Sequence, residues 1–144
     1  MANELEILKP SEVKKKIKLP LFLSSVSAGA PNSASDYVAS ELDLNEYLIR
    51  HPLSTFFVKV KGDSMIDSGI SEGDILIVDR SIEAKNYSIV IAILNNEFTV
   101  KRVALKKKEV FLVPENPKYK PIKIDKSMDF QVWGSVTYVI KQPK

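Results

Sequence analysis

Residues 87–105 read YSIVIAILNNEFTVKRVAL. Two runs rich in Ile, Val and Phe flank Asn95-Asn96, and asparagine tolerates the left-handed backbone that a two-residue hairpin demands. The pattern predicts antiparallel strands over Tyr87–Leu94 and Glu97–Leu105, joined by a tight turn. The same grammar extends outward. Strand-like runs cover Phe56–Lys61, Asp74–Asp79, Glu109–Pro114, Pro121–Ile124 and Asp129–Ile140, punctuated by Gly69, Gly73 and Pro117. The expected fold is therefore mainly β, a compact single domain of twisted antiparallel sheets. Upstream, Ser35-Asp36 is placed to cap a short helix carrying Tyr37, Val38 and Leu42. Asp43 can cap a second, carrying Leu44, Tyr47 and Leu48, which Pro52 stops. Residues 1–34 hold Lys14-Lys15-Lys16, Leu19-Pro20-Leu21-Phe22 and the small-residue stretch Ser24–Ala34. Prolines and small polar residues there argue against a stable helix or central strand, so 1–34 reads as an extended, mobile arm and 35–144 as the folded body.

Composition narrows the function. With 44% hydrophobic and 27% charged residues in 144, the chain can bury one sizeable core and lies well outside the disordered range. It has no cysteine, which closes disulfides, thiolate metal sites and cysteine nucleophiles, and favours a cytoplasmic setting. No apolar run approaches the ~20 residues of a membrane span, and Glu4 and Glu6 make the start acidic where a signal peptide would be basic. The net charge of +3 is too small to imply nucleic-acid binding. Lys101, Arg102, Lys106, Lys107 and Lys108 are locally dense, but no aromatic stacking residues interleave with these lysines. The cluster reads as a solvated turn, and direct nucleic-acid binding is expected to be weak or absent. The arm is also too short for a helix-turn-helix.

Few residues remain for covalent chemistry. Serine is a poor nucleophile at neutral pH unless a neighbouring base takes its proton. The single histidine, His51, stands in Arg50-His51-Pro52 at an apparent helix end, where an imidazole meets the terminal carbonyls favourably; a structural role fits it best. No His/Asp/Glu spacing suggests a metal site, and no cofactor is implied. Lysine can serve as base only where burial lowers its pKa by several units from ~10.4. Lys101 is the lysine so placed, following Phe98 and flanked by Val100 and Val103. Taken alone it reads better as an outward-pointing residue on an amphipathic strand, because buried lysines are rare, and Ser64 in Gly62-Asp63-Ser64-Met65 reads as a turn or cap.

The runs Phe57–Met65, Gly69–Asp79 and Glu97–Arg102, in this order, resemble the LexA/UmuD family of self-cleaving serine–lysine proteases, peptidase S24, and most of all its UmuD branch. Phe22, Asp36-Tyr37-Val38, Asp43-Leu44-Asn45 and His51-Pro52 fall in register too, so the resemblance covers nearly the whole chain. It implies the β fold shared by the LexA C-terminal domain and signal peptidases, with Ser64 as nucleophile and Lys101, 37 residues on, as general base. The bond cut would be Ala28-Gly29 in the arm, with Val26 as an apolar recognition residue. By the same resemblance the chain would be an SOS-response homodimer, stimulated by a RecA filament on single-stranded DNA. Its shortened form would serve a Y-family translesion polymerase of the UmuC kind in error-prone repair. Val132–Ile140 is a candidate dimer edge or, equally, an ordinary core strand. Two other readings stay open: a self-cleaving transcriptional repressor, and a non-enzymatic β-barrel that binds nucleic acid through Lys101–Lys108.

Overall fold

The computed structural model describes residues 5–8, 16–22 and 38–144. The chain divides into two units, Met1–Pro10 with His51–Lys144, and Ser11–Arg50. In chain order the elements are β1 (Leu5–Leu8), β2 (Leu19–Phe22), β3 (Val38–Leu42), α1 (Leu44–Leu48), β4 (Thr55–Val60), β5 (Ile75–Asp79), β6 (Ile89–Leu94), β7 (Glu97–Lys106), β8 (Glu109–Val113), β9 (Ile122–Ile124) and β10 (Phe130–Ile140). Single turns of 3-10 helix lie at Pro52–Ser54 and Ile66–Ser68. No helix among the described residues is long and apolar enough to cross a membrane.

In the smaller unit β2 and β3 form a two-stranded antiparallel ladder, and α1 follows with the Asp43 carboxylate accepting from the Asn45 and Glu46 amides. The helix at Asp43 is as expected. The helix expected over Tyr37–Leu42 is not, because Val38–Leu42 is a strand. Its partner Leu19-Pro20-Leu21-Phe22 supplies a ladder that the local cap signal did not anticipate, and a two-stranded ladder is all edge, where a proline is tolerated. Ser35, Asp36 and Tyr37 lie outside the described residues.

The larger unit is one antiparallel sheet in the order β1-β4-β5-β10-β6-β7-β8-β9. Every strand expected from Phe56 onward is present. Asn95 and Asn96 take φ of +50° and +68°, the left-handed pair that joins β6 to β7, and Lys107 and Lys108 do the same between β7 and β8. Of the residues read as a solvated basic turn, Lys106–Lys108 are exposed at this hairpin, whereas Lys101 and Arg102 lie inside β7, with Lys101 buried. Residues 5–8, expected in the arm, are instead the first strand of this sheet, with Leu5 buried opposite Val60. Their Leu-Glu-Ile alternation is short enough to pass for arm, but it meets an open edge of β4.

The long strand β10 pairs with β6 over Phe130–Ser135 and with β5 over Ser135–Ile140, so Ser135 faces both Val90 and Asp79. The register shifts at Trp133 and Thr137, and such bulges bend a strand and raise its twist. The two halves of the sheet fold over a shared core of Leu5, Val58, Val60, Met65, Ile70, Leu76, Val78, Ile91 and Val100. A second cluster, Val90, Ala92, Val103 and Leu112, fills the opposite side of β6–β8. Val132–Ile140, offered above as a dimer edge, is therefore an interior strand. Trp133 is half-buried against the shared core: Phe56 and Phe98 pack on its ring at 5.1 and 5.5 Å, and Arg80 lies 4.6 Å over it.

Asp79 closes β5 and is almost fully buried. Its Oδ2 lies 2.5 Å from His51 Nδ1, while Oδ1 accepts from the Ser81 amide at 2.9 Å and the Ser81 hydroxyl at 2.6 Å. His51 thus has a structural role, but with a carboxylate and not with helix carbonyls. Burial pushes the Asp79 carboxyl up, yet the hydrogen bonds from Ser81 and His51 outweigh it and hold the group below its ordinary 3.8.

Two stability predictions follow from these contacts. A Cβ at Gly134 would lie 2.6 Å from Val78 Cγ1, a stiff side chain with no room to retreat. Gly134→Ala should cost about 2 kcal/mol, seen as a lower urea midpoint at unchanged slope. Asp79→Asn should cost about 2 kcal/mol at pH 7. Because the folded carboxyl titrates below the unfolded one, that difference is complete above the ordinary carboxylate range and shrinks as pH falls below about 4, which thermal melts at pH 7 and pH 3 would read.

Candidate active site

Ser64 sits on the connection between β4 and β5. Val60 ends the strand, Gly62 turns the chain at φ +93°, and Met65, 1% exposed, anchors the next residue in the core. A side chain at Gly62 would be strained in that left-handed conformation. The turn is braced from the segment after β8. Glu115 donates its amide to the Ser64 carbonyl at 2.8 Å and accepts from the Asp67 amide at 2.7 Å. Asn116 donates to the Asp63 carbonyl at 2.8 Å, and the Tyr119 hydroxyl to Asp63 Oδ1 at 2.7 Å. Four hydrogen bonds therefore fix where the Ser64 side chain points.

Lys101 occupies the middle of β7 opposite Val90 and is 5% exposed, with Ser64 at 3%. Its Nζ lies 2.9 Å from Ser64 Oγ, 2.6 Å from Thr99 Oγ1 and 3.1 Å from the Val100 carbonyl oxygen. Thr99 shares the strand face with Lys101 because residues two apart on a strand point the same way. The next residue ties the two halves together: Arg102 Nε meets Glu115 Oε1 at 2.5 Å, and Arg102 Nη1 donates to the Tyr87 carbonyl at 2.7 Å. Glu115 thus holds the Ser64 turn by its backbone and the Lys101 strand by its side chain. Among the described residues, no backbone carbonyl accepts from the Ser64 or Met65 amide.

The structure brings together two of the residues singled out from sequence, Ser64 and Lys101. It keeps His51 with Asp79, and Val26, Ala28 and Gly29 lie outside the described residues. Among the described residues no group of three or more His, Asp and Glu side chains converges as metal ligands would. Thr99, Glu115, Asn116 and Tyr119 went unread. The period-two pattern of β7 could have flagged Thr99, but Glu115-Asn116 carries no local signal, since its role exists only where the segment crosses the Ser64 turn. Chemically, a buried hydroxyl and a buried amine at hydrogen-bond distance have the separation that proton transfer between them requires.

The chain resembles known proteins over nearly its full length. It is 40% identical over 142 residues to protein MucA of Salmonella typhimurium, covering 97% of each chain. It is 39% identical over 140 residues to protein SamA of Salmonella typhimurium strain LT2, again covering 97% of each. A LexA repressor from Bordetella petrii matches at 38% over 126 residues, which is 88% of this chain but 55% of that protein. The family model described as peptidase S24-like matches residues 20–137, a span that contains both the Ser64 turn and strand β7. The chain belongs to the peptidase S24 family, the self-cleaving peptidases of the LexA and UmuD kind.

Proposed function

We propose that the chain cleaves its own Ala28-Gly29 bond with Ser64 as nucleophile and Lys101 as general base. The observation that carries this reading is the 2.9 Å approach of two buried side chains, Ser64 Oγ and Lys101 Nζ. Burial disfavours an ammonium, and a neutral amine has two N–H donors and one lone pair. The Val100 carbonyl and Thr99 hydroxyl are placed to take the two N–H groups, which turns the lone pair toward the Ser64 hydroxyl. In the reaction Oγ bonds to the Ala28 carbonyl carbon and its proton passes to Nζ. The C–N bond then breaks, with the proton delivered to the Gly29 amine, and water hydrolyses the Ser64 ester. The Ser64 and Met65 amides are suited to receive the oxyanion. Val26 would supply an apolar anchor for the substrate segment.

The product, residues 29–144, is proposed to be a dimeric accessory subunit for a Y-family translesion polymerase in the cytoplasm, with RecA filaments on single-stranded DNA speeding the cut during the SOS response. Similarity to MucA and SamA over 97% of their lengths supports this reading. A self-cleaving repressor is the second reading, favoured by the likeness to a LexA repressor. Specific operator binding by this chain would reverse the order.

Alkaline incubation of the wild-type protein should yield a fragment whose mass and N-terminus begin at Gly29, while Ser64→Ala and Lys101→Ala stay full length. The cleavage rate should rise with pH, because the neutral fraction of Lys101 rises; a rate that is flat from mildly acidic to strongly alkaline pH would sink the lysine-base mechanism. Thr99→Val should slow cleavage about tenfold by removing an acceptor from Nζ, and Thr99→Ser should restore most of it, both read by mass spectrometry over time.

A further inference from the structure

β1 is held on the edge of β4 by four residue pairs: Leu5 with Val60, Glu6 with Lys59, Ile7 with Val58 and Leu8 with Phe57. Leu5 is buried in the same cluster as Val58, Val60, Met65 and Val100, while Glu6 and Lys59 face each other on the exposed side as opposite charges. The Val60 amide donates to Asp74 on the β5 side. By strand alternation, the Phe57 and Lys59 amides therefore point to β1. All of β1 precedes residue 28, and all of β4 follows residue 29. A cut between them severs the tether without touching either strand.

The tether matters because β1 is a weak ligand. Ordering four backbone residues opposes the burial of one large side chain and a short ladder. In the intact chain this ligand is present at an effective concentration on the order of millimolar; once cut, residues 1–28 are held only by the β1 and β2 ladders, and on dissociation β1 is diluted to the bulk concentration. Its loss would leave unpaired amides beside uncovered Val58 and Val60, an edge that proteins do not leave open. We infer that β1 is a resident occupant of a strand-accepting edge, and that cleavage, on the reading proposed above, exchanges it for an extended segment of a partner protein. The occupant β1 defines the chemistry of its replacement. The partner segment runs antiparallel to β4, with apolar side chains in the Leu5 and Ile7 positions and an acidic residue between them opposite Lys59.

Hydrogen–deuterium exchange at the Phe57 and Lys59 amides tests this in two arms. In the intact chain, Glu6→Lys sets like charges face to face and should speed exchange at both amides about fivefold, with Val78 and Val100 unchanged. A synthetic peptide of residues 3–10 in excess should slow it again. In protein cleaved at alkaline pH the same amides should exchange faster than in the intact chain. The wild-type peptide should restore protection there, whereas a peptide with Leu5→Asp should not. Exchange indifferent to both Glu6→Lys and cleavage overturns the inference. Protection that persists after cleavage in a larger assembly assigns the edge to a second copy of this chain and overturns the partner segment. If no Gly29 N-terminus forms, the cleavage reading fails and the exchange of occupants with it, while the Glu6→Lys arm still decides whether β1 covers a strand-accepting edge.

Discussion

The double pairing of β10 is the constraint on which the rest depends. In sheet order β4 and β7 are separated by β5, β10 and β6, so in a flat sheet they would stand about 19 Å apart. Yet a residue just past β4 and another in the middle of β7 touch at 2.9 Å. The sheet reconciles these facts by folding at Ser135, where one strand leaves β6 and joins β5, with a bulge on either side. Gly134 makes the fold sterically possible, because the backbone there presses against Val78. Leu5, Val58 and Val60 from one half and Ile91 and Val100 from the other then share a core.

Within that frame, the buried lysine needs compensation. An amine taken out of water loses hydration that only well-placed hydrogen-bond partners can offset, and Lys101 has Ser64, Thr99 and a backbone carbonyl. Holding those partners in place falls to residues remote in sequence. Glu115 and Asn116 fasten the Ser64 turn, and Arg102 links Glu115 back to the strand that carries Lys101. The arrangement is rigid where a hydroxyl and an amine must meet. β1, which shares this core with β7, is its shortest strand. A covalent cut upstream of β4 would reach the core through β1.

Much of this was legible in the chain. Ile/Val/aromatic runs broken by Asn95-Asn96, Gly69 and Gly73 located each strand from β4 to β10 to within a few residues, because alternation and turn propensity act over short distances. Asp43 announced its helix for the same reason. The errors fell where a remote partner overrode the local signal. Ser35-Asp36 looked like a cap, but Val38–Leu42 had β2 to pair with. Leu5–Leu8 looked like arm, but β4 had an open edge. Val132–Ile140 looked like a possible edge, but two neighbours claimed it.

Residue chemistry and short-range pattern were enough for the strands from β4 onward, their turns and, through motifs in register, the family and the candidacy of Ser64 and Lys101. Their meeting across 37 residues, the acceptors Thr99 and Val100 around the amine, and the Glu115–Asn116 brace were set by the folded chain alone. Each of these depends on which strands lie side by side and where one of them bends. That order is settled by burial of the whole core, and no local stretch of sequence encodes it.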